Sequence, residues 1–146
     1  MKKCISLLAV FLISGAVALY GKKIYYIISE KPESKTVEFS IYAGSDYSSK
    51  LYKKSKARVI LTVCKFSGNN QEIVWQEEVD KGSMKNYPSS ENALFKKVSV
   101  HNVFESKETL AAYYEVIYES KGSKLSYQKG LLLSRGSNEN SLDISL

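Results

Sequence analysis

Cysteine, proline, methionine and histidine are all scarce in this chain: two Cys, two Pro, two Met and one His among 146 residues. Each shortage excludes something. Cys4 lies in a segment read below as removed, which leaves Cys64 with no partner, so a scaffold stapled by internal disulfides is excluded and stability must come from a packed core. A lone His cannot build a zinc site without thiolate or carboxylate help. No Asn is followed by the x-Ser/Thr of a glycosylation acceptor. Also missing are the G-x-S-x-G, Walker, H-E-x-x-H and calcium-loop patterns.

What is present is a β-rich palette. Eleven Tyr, five Phe and 44% hydrophobic residues favour strands, because aromatic and β-branched side chains pack well on a pleated, half-buried surface. At this length the chain is expected to fold as one domain.

The first residues carry the most specific signal. Lys2 and Lys3 precede an apolar run from Ile5 to Ile13, and Ala16-Val17-Ala18 closes it with the A-x-A pattern of a cleavage site. Residues 1–18 are therefore expected to be a cleaved signal peptide, residues 19–146 the mature domain, and the location secreted or periplasmic. The alternative is an uncleaved anchor facing the outside. The run Cys4–Tyr20 is near the lower limit for spanning, and Lys22 and Lys23 balance Lys2 and Lys3, so charge sets no orientation.

Alternation predicts strands at Ile24–Ser29, Thr36–Tyr42, Lys96–Phe104 and Leu125–Ser134. Gly44-Ser45-Asp46 breaks the second of these, and Asp80–Glu91 reads as a surface loop. Residues 105–121 fit a helix stopped by Gly122, or a strand. The density of Tyr and Val from Tyr113 to Tyr118 favours the strand. The tail after Arg135 reads as frayed, with an edge strand through Leu142, Ile144 and Leu146 as the alternative.

Ala57–Val79 is the central hairpin and holds the only Trp. An even loop at Gly68-Asn69 would pair Phe66 with Gln71 and leave Val59, Leu61 and Val63 on the face of Glu72, Gln76 and Glu78. A one-residue slip moves every side chain to the other face. A three- or five-residue loop, most simply Gly68-Asn69-Asn70, is therefore expected, placing Val59, Leu61, Val63, Ile73, Trp75 and Val79 together in the core and Cys64 on the other face. The whole pattern predicts an all-β antiparallel β-sandwich of immunoglobulin-like type, or α+β if residues 107–121 are helical.

Candidate chemistry is sparse. His101 and Cys64 would need each other, or a carboxylate, to act as a catalytic pair, and no signature surrounds either. Glu115 and Glu119 on one strand face would stand about 13 Å apart, too far for a glycosidase pair. The expected activity is therefore binding rather than catalysis, with no cofactor and no metal; the alternatives are a membrane-tethered structural or envelope-assembly module and, behind it, a small hydrolase or thiol enzyme. The strongest binding candidate is the basic run with interleaved rings: Lys50, Lys53, Lys54, Lys56 and Arg58 with Tyr47 and Tyr52. Such a run concentrates positive potential beside amphipathic rings. Its expected partner is an unidentified protein, an anionic envelope polymer or a membrane surface; nucleic acid is disfavoured by the export signal. Tyr113 with Tyr25 or Tyr26 is a weaker candidate platform.

Overall fold

The structure is a computed structural model that describes residues 30–44 and 54–146. The chain divides into Met1–Lys31 and Pro32–Leu146, and all that follows concerns the second unit. The signal segment, the Ile24–Ser29 strand and the Ser45-Asp46 break lie outside the described residues.

Among the described residues seven strands follow one another: β1 (Glu33–Tyr42), β2 (Lys56–Ser67), β3 (Asn70–Ser83), β4 (Leu94–Val103), β5 (Glu108–Ser120), β6 (Ser123–Leu132) and β7 (Glu139–Ser145). They form a three-stranded sheet ordered β4-β1-β7 and a four-stranded sheet ordered β3-β2-β5-β6. The fold is all-β with two sheets. Period-two alternation decides the burial: Val37, Phe39 and Ile41 on β1, Val59, Leu61 and Val63 on β2, Ala112, Tyr114 and Val116 on β5, and Leu142 and Ile144 on β7 all enter one core that draws on both sheets. Residues 108–120 form a strand, so the helical alternative for that segment falls.

The hairpin departs from expectation in an instructive way. Its loop is the two-residue turn Gly68-Asn69, with Gly68 at φ 58°, and Phe66 does pair with Gln71. The odd-length loop is therefore wrong. The one-residue shift it was meant to supply comes from inside β3: Cys64 pairs with Ile73, yet Val63 pairs with Trp75, leaving Val74 as the extra residue of a bulge. Below the bulge Val59 faces Val79 and the apolar sets are joined. Above it Ile73 is left outside, 58% exposed, which corrects its placement in the core. Val74 and Trp75 both pack against the core.

Three further expectations are corrected. Asp80–Glu91 is no simple surface loop, since β3 runs on to Ser83 and a short 3-10 turn buries Met84 and then Tyr87. In β4 the alternation stops at Asn102, whose φ of 59° turns Val103 into the core. The tail is ordered as β7 and pairs with β1 in parallel, so the fold is not purely antiparallel. Leu142 and Ile144 hold it there through their burial.

Buried charge closes one end. Lys35, 3% exposed, pairs with Glu105 and donates from Nζ to the Ser137 carbonyl at 2.9 Å and the Ser134 carbonyl at 3.3 Å. Glu105 in turn accepts from the Gly136 amide at 2.8 Å. One ion pair thereby fixes the connection between β6 and β7, and the Lys35 hydrogen bond and the Gly136 amide hold the Glu105 carboxyl below its usual range.

Candidate functional site

Of the basic run, Lys50, Lys53, Tyr47 and Tyr52 lie outside the described residues. Lys54 precedes β2 and is exposed; Lys56 and Arg58 lie on the face of β2 opposite the buried Ala57 and Val59. The sequence could not show what stands across the strands from them. Arg58 meets Asp80 on β3 and Ile117 on β5, and its Nη1 reaches Glu78 Oε1 at 3.5 Å. Lys56 pairs in register with Glu119, which also faces Lys124 of β6. A shallow depression of about 230 Å³ is lined by Lys56, Ala57, Arg58, Asp80, Ile117 and Glu119. Within it the Arg58 Nε is buried and, among the described residues, has no hydrogen-bond partner.

The described end of the basic run is therefore a mixed-charge surface. Two cations alternate with three carboxylates brought in from neighbouring strands. Long-range attraction for a polyanion is weaker there than five cations in nine residues imply. A partner that presents both signs would match it better.

The remaining candidates are dispersed. Cys64 is 2% exposed and its sulfur accepts from Gln71 Nε2 at 3.4 Å. His101 is exposed on β4, in the other sheet, with its Nδ1 2.9 Å from the Ser34 hydroxyl. Glu77 is bound to Lys96, and Glu115 sits between Ile60 and Gln128 in register. Among the described residues no group of three or more His, Cys, Asp or Glu is placed to hold a metal ion. Tyr113 is only half-exposed, and its ring lies against Gly130, where an added methyl would run into it. Tyr25 and Tyr26 lie outside the described residues.

One surface was not found from sequence. β6 is exposed at every position, and it carries four of the six exposed large apolar side chains among the described residues: Leu125, Tyr127, Leu131 and Leu132. Leu125, Tyr127 and Leu131 share the core-facing side, where three strands face four and leave β6 incompletely covered. The Tyr127 ring stacks on Tyr118 and meets Tyr114 edge-on, and its hydroxyl donates to the Ser145 carbonyl at 3.2 Å. Ten residues without Pro, with apolar side chains on both faces, were the available signal.

No family model, curated protein or solved structure matches this chain.

Proposed function

We propose that the chain is an exported, non-catalytic binding module with an immunoglobulin-like sandwich fold, and that the segment ending in Lys54, Lys56 and Arg58 contacts a protein partner. The fold reading is supported by two sheets that share one core and by a central hairpin extended through β5 and β6. The parallel β7 is a departure from the common pattern. Export rests on the signal-like start of the chain.

The observation that carries the binding site is the depression lined by Lys56, Arg58, Asp80 and Glu119, where β2, β3 and β5 bring both signs of charge together. The alternating signs favour a protein face over an anionic polymer or membrane surface, which is the rival occupant.

A photo-activatable side chain placed at Lys56, and separately at Lys97 on the other sheet, tests this in cells that make the chain. Protein adducts from position 56 alone support the site. Equal adducts from both positions, or lipid adducts from position 56, overturn it. A second reading keeps the N-terminal apolar run as a membrane tether for the same module. The intact mass of the exported chain separates the two, because loss of residues 1–18 rules the tether out.

A further inference from the structure

Among the described residues β6 pairs with β5 only, so the other side of its backbone carries unpaired amides and carbonyls. Edge strands are normally protected by a bulge, a proline, short length or lysines. β6 has only the last of these: ten residues pair with β5 in unbroken register from Ala111–Leu132 to Ser120–Ser123. Lys124 and Lys129 are its only charges, and neither is in an ion pair among the described residues.

The order of side chains along β6 then selects an occupant. When two copies of one strand pair antiparallel about a two-fold axis normal to the sheet, opposed residues share a face, so the axis must pass through a residue. Only Tyr127 and Gln128 are central enough to pair nearly the whole strand. About Gln128 the opposed pairs are Leu125 with Leu131, Tyr127 with Lys129, Ser126 with Gly130 and Lys124 with Leu132, each occurring twice. Apolar meets apolar, a cation meets a ring, and no cation faces a cation. About Tyr127, Leu125 would face Lys129 and Leu131 would face Ser123, so both leucine pairs are lost.

We propose that two copies of this chain pair edge to edge through β6, antiparallel about Gln128, joining their four-stranded sheets into one continuous sheet of eight strands. The uncovered Leu125 and Leu131, 69% and 42% exposed, become mutual cover. A single strand pair is a small interface, so the dimer forms in about the micromolar range. The net charge, +6 for the full sequence and still positive without Lys2 and Lys3, opposes association, and added salt therefore tightens it.

Sedimentation velocity on the purified chain, from about 1 to about 200 μM, reads this directly. The expected result is a monomer that converts to a dimer within that range. A wild-type chain that stays monomeric, or that passes to larger species without a dimer, overturns the proposal. Gln128 is exposed and stands on the axis, so Gln128→Lys opposes two cations and Gln128→Glu two anions. Each should weaken the dimer by about fivefold or more, and an equimolar mixture should restore it as a heterodimer. Failure of the mixture to recover overturns the Gln128 axis, as does a Gln128→Lys chain that dimerises like the wild type. Leu125→Lys, also at an exposed position, gives the same loss without touching the axis, and a melting curve for each variant shows that the monomer is intact.

Discussion

The Trp75 indole lies stacked on the Phe39 ring, centroids 5.8 Å apart and planes within 22°, and it is the Val74 bulge that brings it there. One aromatic pair ties the four-stranded sheet to the three-stranded one. The bulge residue lies between two correctly paired segments, so its removal leaves Cys64 opposite Ile73 and Val63 opposite Trp75. Deletion of Val74 should keep the fold, lose about 1 kcal/mol of packing, and leave Trp emission blue-shifted. Deletion of Glu77 should instead flip Trp75 to the solvent side and red-shift that emission.

Lys35 and Glu105 make the second test. Lys35→Met keeps the bulk but abandons Glu105 and two backbone carbonyls, and should cost about 3 kcal/mol in denaturant unfolding. The pH dependence follows from the lowered Glu105 pKa. Its contribution is fully present above the unfolded carboxylate value, about 4.3, and is lost as pH falls through the lower folded value. Glu105→Gln should flatten stability in that acid window and leave neutral-to-alkaline behaviour unchanged in shape.

Tyr87 governs the opposite end of the pH scale. Burial pushes its phenol up to about 12, and its hydroxyl lies 2.9 Å from the Ala57 carbonyl and 3.0 Å from the Val79 carbonyl, to which it donates. A raised folded pKa stabilises fully below the unfolded value, about 10, and that stabilisation disappears as pH rises through 12. Tyr87→Phe should cost about 1 to 2 kcal/mol at neutral pH and reduce the alkaline loss. Some slope remains, because burial also raises Tyr114 and Tyr127.

Gly130 and Tyr113 form a coupled pair across β5 and β6. A methyl at 130 meets the Tyr113 ring directly, so Gly130→Ala should destabilise by about 1 to 2 kcal/mol. In a Tyr113→Ala background the same substitution should be close to neutral. A double-mutant cycle with no coupling contradicts the contact.

The strands were legible wherever alternation was clean: Val37, Phe39 and Ile41 announce β1, and Tyr113 to Tyr118 announce β5. The hairpin was half legible. Its apolar sets demanded a one-residue shift, but periodicity cannot say whether a turn or a bulge supplies it, and the Gly68-Asn69 turn left the work to Val74. Strict alternation cannot show that Val103 is buried, because a left-handed Asn102 resets the faces without changing composition. The candidate site was legible only as a run of cations. Glu78, Asp80 and Glu119 come from other strands, and only the register of β2 with β3 and β5 brings them beside Lys56 and Arg58.

The parallel pairing of β7 with β1 also sets an order of events. β1 lies between β4 and β7, and five strands separate β1 from β7 along the chain. The Leu146 amide closes onto the Tyr42 carbonyl at 2.9 Å. A growing chain can pair β2 with β3 and β5 with β6 locally, but its three-stranded sheet waits for β7. Until β7 docks, the core lacks the cover of Leu142 and Ile144, so this long-range pairing makes folding slow compared with the local hairpins.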